Sequence, residues 1–429
     1  MSDVLVEDTR RSKIVPVSHA TGGRTARLGA LDALRFIAAL SVVAFHYTGI
    51  TPGWGGRAPA ELDRVARWAS YGTMGVPLFF VISGFVILLT AWERDVPQFL
   101  ASRVGRLFPA YWTAVAIAAV IAFVVWPEGS VVDGRPPTEA EAALNLTMVQ
   151  GAFGAHNLDG PYWTLWAEAR FYLLVALFML VGITRQRVLA FATLWPVLAV
   201  IAQQAGQAML STLLIADYAP FFAGGMLLYV IYRDGHDLGT WLLVGLQSIF
   251  ALYFALGHYP DSIMVATGWA PSKVLVAGFS LACFGLVALV VLTPLSRCTA
   301  GWMSVLGALT YPLYLVHERL GLFIVNSLRE TLNPWLVLAI AGLSALVLAA
   351  GIHYAVERPL GGRLRHAMLA SLQRTSDADG SPRTGAHRAL PGMSDGPATH
   401  IAARQETPRP RMTDTRTSVR LPAPMAVHD

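Results

Sequence analysis

Charge is scarce in this sequence. Asp, Glu, Lys and Arg together make up 14% of its 429 residues, where a soluble protein carries about 25%. Cysteine is scarcer still, with only Cys283 and Cys298. Cys283 sits in an apolar run, which argues against a structural disulfide, and two thiols cannot supply a four-ligand zinc site. The GxSxG segment of soluble hydrolases is absent around Ser83-Gly84, and no RNA- or DNA-binding motif occurs. The net charge of +5 is therefore not a nucleic-acid signal. Much of it falls in the tail and short loops, where it sets membrane topology. No small-x-small cleavage site follows the first apolar run, so that run is expected to be a retained helix and not a signal peptide.

What the chain has in abundance is hydrophobic sequence, 55% of its residues. Several apolar stretches between Phe36 and Arg358 approach the ~20 residues that cross a bilayer. The expectation is an all-α membrane protein, about ten transmembrane helices in a single bundle. The spans read as 32–51, 72–92, 107–126, 162–182, 188–206, 213–232, 240–258, 272–292, 303–325 and 335–356. Span six is interrupted by Pro220 and a glycine pair, tolerable only where neighbouring helices or cavity water satisfy the freed backbone groups.

With ten spans, Arg10, Arg11, Lys13, Arg24, Arg27, Arg94, Arg103, Arg106, Arg185, Arg187, Arg233, Arg297, Arg358, Arg363 and Arg365 fall on one side. Arg57, Arg64, Arg67, Arg135, Lys273 and Arg329 fall on the other. The bias places both termini in the cytoplasm. Residues 1–30 then form a cytoplasmic N-terminal segment and 31–365 the transmembrane domain. Residues 366–429, rich in Pro, Ser, Thr, Arg and Asp, read as a disordered cytoplasmic tail. The loop Pro127 to Gly160 leans acidic and is expected outside.

Four segments place ionisable groups where lipid would exclude them. In "LDALRFIAALSVVAFHYTGI", Arg35 and His46 are eleven residues apart, about 16 Å along a helix and within about 20° of one face, with Asp32 on roughly the same stripe. Snorkelling and helix packing explain such residues in one reading; function explains them in the other. In "FLASRVGRLFPAYW", Arg103 and Arg106 share a face at i and i+3. They suit bidentate phosphate binding or simple anchoring to the inner surface. "LDGPYWTLWAEARFYLL" sets Glu168 and Arg170 inside span four, as an internal ion pair or as acid/base groups facing a cavity. "LTYPLYLVHERLG" sets His317, Glu318 and Arg319 in span nine, pointing three ways, so at least one faces a cavity or another helix. His317 could line the same chamber as His46 or serve as a structural partner. In "GVPLFFVISGFVILL" the Ser83-Gly84 pair reads as a small-residue helix contact.

Taken in order, these pieces resemble the acyltransferase-3 family of membrane proteins. "LDALRFIAALSVVAFH" is similar to its first helix, with Arg35, ten residues, then His46. "GVPLFFVISGFVI", "RVGRLFPAYW", "WTLWAEARFY", "LTYPLYLVH" and "HYAVERPL" resemble later segments, over about residues 28–365. The resemblance implies a membrane-bound O-acyltransferase that moves an acyl group, acetyl by expectation, from cytoplasmic acyl-CoA to a hydroxyl. The acceptor would be a glycan, a lipid-linked sugar or a glycosylated small molecule. It implies multi-pass residence in the plasma membrane, polysaccharide modification as the class of outcome, acyl-CoA as donor co-substrate, and no metal or nucleic acid.

Carried over, His46 maps to the proposed catalytic histidine, and Arg35, Arg103 and Arg106 to donor handling. Glu168 is expected to orient the imidazole or stabilise its cation. Asp32, Trp163, Tyr311, His317 and Glu357 are carried as substrate-binding or supporting positions. Thr164 stands where serine is common in the family, and "VHERLG" is more charged than many relatives after the histidine. No extracellular esterase-like domain follows span ten, so the chain is expected to complete transfer itself. The competing class is a transporter or flippase without covalent chemistry, which intramembrane charges and a broken helix also fit. It is separated by acceptor-dependent CoA release.

Overall fold

Helix starts in this chain are written into its polar residues. Asp95 accepts from the Gln98 amide at 2.7 Å, ahead of a helix with proline in its first turn. Thr184, Asp237 and Asn333 cap later helices in the same way, at 3.3, 3.0 and 2.9 Å. Each side-chain oxygen satisfies an amide that the first turn leaves without a partner. The computed structural model describes residues 28–49, 54–55, 59–130 and 135–380. The basic stretch Arg10 to Arg27, Arg57, and the tail beyond 380 lie outside the described residues. The chain divides into two units, Met1–Asp379 and Gly380–Asp429; the bundle belongs to the first.

Fourteen α-helices follow in order among the described residues: α1 Gly29–Ala44, α2 Asp63–Ala69, α3 Gly75–Ala91, α4 Val96–Val120, α5 Glu139–Asn145, α6 Tyr162–Val181, α7 Arg185–Gln204, α8 Ala208–Leu213, α9 Ala219–Asp234, α10 Leu238–Thr267, α11 Lys273–Leu292, α12 Gly301–Leu328, α13 Pro334–Ile352 and α14 Arg358–Gly380. Wider π-helical turns continue three of them, at Phe45–Gly49, Ile121–Val125 and His353–Glu357. Eight continuous helical stretches are long and apolar enough to cross a membrane. The other two expected spans correspond to α9 and α12. At 16 residues α9 is short, and α12 carries His317, Glu318 and Arg319 in its middle. The protein is an all-α, multi-pass membrane protein.

Span six differs from its expected form. Pro220 does not break a helix; it occupies the first turn of α9, where a missing amide costs nothing. The preceding stretch folds as the separate short α8 and a turn. All thirteen residues from Ala219 to Ile231 are buried, as expected of a helix that is apolar on every side. The glycine pair explains how it fits. A Cβ on Gly225 would collide with the Val81 carbonyl of α3, and one on Gly224 with the Phe284 ring of α11. Gly84 of α3 lies equally close to the Phe222 carbonyl, so the expected small-residue contact exists. Close backbone approach through small residues is how helices associate without a hydrophobic driving force between them.

Span ten also runs further than expected. The π turn His353–Glu357 carries α13 into α14, which continues past residue 366 to Gly380.

The pairing that positions the polar groups is α1 beside α12. Gly29 lies against Met303, Asp32 against Gly307, and Tyr47 against Gly321. The two helices therefore run parallel, and their polar stripes face each other along their length. One end of the bundle holds Gly29 and the other holds His46.

Candidate active site

His46 falls in the π turn that ends α1. Such a turn departs from the regular 100° step, a distortion frequent at functional positions. It delivers the imidazole to α12. Nδ1 of His46 is 2.7 Å from Nε2 of His317, and the rings stack with centroids 4.9 Å apart. Nδ1 of His317 is 2.8 Å from the Tyr314 carbonyl oxygen. Tyr47 donates its hydroxyl to the His317 carbonyl at 2.8 Å, and Trp54 donates to the Tyr47 carbonyl at 2.8 Å. His317 is fully buried.

With both rings uncharged, these contacts assign their protons. A carbonyl can only accept, so Nδ1 of His317 carries hydrogen and its Nε2 is an acceptor. Nδ1 of His46 must then be the donor between the rings. This leaves the lone pair of His46 on Nε2, aimed away from the pair. Facing it at 3.4 Å is Oε2 of Glu318, an oxygen with no hydrogen-bond partner among the described residues. Both side chains keep slight exposure, 12% and 16%, so the gap between them is reachable.

The loop before α6 closes over this cluster. Asp159 accepts from the Arg319 amide at 3.1 Å. Gly160 lies so close that a Cβ there would collide with both carboxylate oxygens of Glu318. The loop itself is held by a capping box. Thr138 and Glu141 bond each other's backbone amides, and Arg135 donates to Glu141 at 2.7 and 2.9 Å. The Arg135 guanidinium and the Thr138 amide hold the Glu141 carboxyl well below the usual carboxylate range.

Toward the Gly29 end lies a second polar centre, a cavity of about 50 Å³ lined by Arg35, Ser83, Thr164, Glu168, Tyr311 and Tyr314, with apolar neighbours. Ser83 donates to Glu168 at 2.9 Å. Thr164 and Tyr314 share a hydrogen bond of 3.0 Å between their hydroxyls, and Tyr311 donates to the Leu107 carbonyl at 3.0 Å. Nε of Arg35 is buried without a hydrogen-bond partner among the described residues. The charges acting on Arg35 are those of Arg106, Glu168 and Asp32. Arg103 reaches Thr90 and Ser102 only at 3.3 Å each, and lies over the rings of Phe99 and Tyr172. Tyr314 joins the two centres: its hydroxyl lines the cavity and its carbonyl holds His317.

The structure brings His46 and His317 into contact and sets Arg35 and Glu168 in one cavity, with Arg103 and Arg106 in their electrostatic neighbourhood. It places other expected residues elsewhere. The carboxylate beside His46 is Glu318, while Glu168 is held by Ser83. Asp32 packs against Gly307. Tyr311 lines the cavity, whereas Trp163 faces Tyr218 and Phe80 in a separate pocket. Glu357 is 2.9 Å from Nδ1 of His353 within the last π turn.

Sequence reading passed over Ser83 because its neighbour Gly84 explained the segment. It also passed over Tyr314. The spacing Tyr311, Tyr314, Glu318 was the available signal, one helical stripe at i, i+3 and i+7.

A family model described as Acyltransferase domain matches residues 28–354. The chain is 27% identical over 170 residues to the peptidoglycan O-acetyltransferase OatA of Listeria monocytogenes, covering 35% of this chain and 24% of that protein. It is 31% identical over 159 residues to the acyltransferase MdmB of Streptomyces mycarofaciens, covering 35% and 38%. The O-acetyltransferase OatA of Staphylococcus aureus is 27% identical over 167 residues, covering 35% and 24%. The chain thus spans between about a quarter and two fifths of the length of these relatives. No solved structure matches it.

Proposed function

The chain belongs to the Acyltransferase domain family, and from that premise we propose that it is a membrane-bound O-acyltransferase. It moves an acyl group, acetyl in the first instance, from cytoplasmic acyl-CoA to a hydroxyl of a carbohydrate-containing acceptor: a glycan, a lipid-linked sugar or a glycosylated small molecule. It resides in the plasma membrane with the Gly29 end of the bundle facing the cytoplasm. The observation that carries this reading is the His46 imidazole, whose Nε2 is left as a free base by the hydrogen-bond chain through His317 to the Tyr314 carbonyl.

His46 is the catalytic base. The acceptor hydroxyl gives its proton to Nε2 as its oxygen attacks the thioester carbonyl carbon. The C–S bond breaks, and the imidazolium returns the proton to the departing sulfur, releasing CoA as the thiol. An imidazole suits this cycle because its ordinary pKa lies near neutrality. Glu318 at 3.4 Å steadies the imidazolium, and His317 is a positioning residue that fixes tautomer and ring plane. Arg103 and Arg106 receive the CoA phosphates. Arg35 and the narrow cavity beyond it guide the thin pantetheine arm toward Tyr314. Buried arginines with few protein partners are suited to this, because a ligand phosphate replaces weak contacts with strong ones.

The test is purified protein in lipid nanodiscs with acetyl-labelled CoA and a panel of saccharides. Release of free thiol that depends on the acceptor, with label recovered on the saccharide, is expected. Saccharide or CoA movement across the bilayer without transfer of label would remove the reading in favour of a transporter.

A further inference from the structure

At the His46 end, a second and larger pocket of about 550 Å³ opens between α6, the α8–α9 turn, α10 and the π turn of α1. Its volume lies in the range of pockets that hold small organic ligands. We infer that this pocket is the acceptor-binding chamber, and that it takes a neutral polyol, a sugar unit of the acceptor. This rests on the acyl-transfer reading above.

The lining carries the argument. Trp163 is 38% exposed and sits 5.3 Å from Tyr218, ring centre to ring centre. The two make an aromatic wall, and the electron-rich faces of such rings attract the polarised C–H face of a sugar. Opposite chemistry stands beside them. Gln203 donates to Asp217 at 2.8 Å, which leaves Oε1 of Gln203 without a partner among the described residues. His258 and Ser262 bond each other at 3.2 Å and also face the pocket. Arg170 is tied to the Thr212 carbonyl and to the Trp166 carbonyl, and its positive charge is countered by Asp217.

Donors and acceptors are therefore both present with their charges balanced. That combination matches hydroxyl groups, which donate and accept at once. A phosphate-bearing headgroup would call for surplus positive charge, and an acyl chain for an apolar lining. Ile215, on the pocket wall, holds a positive φ of 56°. For a β-branched residue this is a true outlier, and such strain clusters at ligand-binding segments.

The pocket also abuts both reaction partners. Phe45 lines it, with its ring 5.1 Å from that of His46. Phe80 lines the donor-side cavity and packs at 4.9 Å on Tyr218 of this pocket. Trp163 is followed by Thr164, whose hydroxyl meets Tyr314. One residue thus separates the chamber from each side of the chemistry.

The test is equilibrium binding of a β-linked N-acetylhexosamine tetrasaccharide, by calorimetry in nanodiscs without donor. Wild type, Trp163→Leu, Asp217→Asn and His46→Ala are compared, with thermal unfolding to confirm folding. Affinity should fall at least tenfold in Trp163→Leu and in Asp217→Asn, and persist in His46→Ala. With acetyl-CoA supplied, the acceptor KM should rise in the same two variants while the donor KM stays within twofold. No binding by wild type, equal binding in both pocket variants, or a bound phospholipid lost from those variants in native mass spectrometry would overturn the assignment. Trp163-dependent binding without any transfer by wild type would uphold the pocket and instead sink the acyltransferase reading.

Discussion

The two polar centres of the bundle are built in opposite ways. At the His46 end three of the four nitrogens of the His46–His317 pair are held in hydrogen bonds of 2.7 and 2.8 Å that end on a main-chain carbonyl, and Nε2 of His46 is the one left open among the described residues. At the Gly29 end the arginines are loosely held: Arg35 has an Nε without a hydrogen-bond partner among the described residues, and Arg103 has contacts of 3.3 Å. A group that does chemistry gains from a fixed orientation, because misplacement costs rate directly. A group that awaits a ligand gains from weak protein contacts, because strong ones must be broken first. The contrast supports one centre as the place of reaction and the other as the place of capture.

The comparison breaks most sharply at His46. His46→Ala should lower acetyl transfer by about 10²–10⁴-fold, the range for loss of a general base, with the thermal transition little changed. A variant that turns over like wild type would leave the wired centre without a role. His317→Ala should cost about tenfold to a hundredfold in kcat. His317→Gln should recover part of it, since an amide oxygen can still accept from Nδ1 of His46. Equal loss in both variants would mean His317 only fills space. At the captured-ligand end, Arg103→Ala with Arg106→Ala should raise the donor KM by roughly tenfold or more, the worth of losing charge-assisted hydrogen bonds. A kcat effect alone would argue that these arginines belong with the chemistry.

The smallest effect lies in the loop that covers the histidine centre. Thr138→Ala removes the α5 cap and should cost about 1 kcal/mol, read as faster hydrogen exchange over Glu139–Asn145. The loop should also respond to acid. Because Glu141 is held below its ordinary range by Arg135, its contribution is complete above the ordinary carboxylate pKa of about 4.3. It is lost only as pH falls through the depressed value. Exchange that already accelerates near neutrality would contradict that sign.

Legibility followed physical range. Helical segments were readable because apolar length and capping residues act within a few positions, and the segment read as span nine is helical, as α12, despite its charges. Span six was misjudged at Pro220, where the same residue that breaks a helix interior also begins one well. Among the site residues, His46 and the arginines stood out through the cost of burying them in lipid. Glu318 and Glu168 are equally costly, and nothing local distinguishes the one that meets the imidazole.

The amino-acid order alone determined an all-helical membrane chain and the ionisable groups each helix carries, since both depend on local periodicity and on the solvation cost of charge. Only tertiary packing decided which groups meet. The parallel seating of α1 on α12 joins residues 271 positions apart. The π turn at Phe45–Gly49 aims the ring, and glycine contacts of α3 with α9 set how closely the neighbouring helices pack. Those are long-range steric outcomes, and no short stretch of sequence contains them.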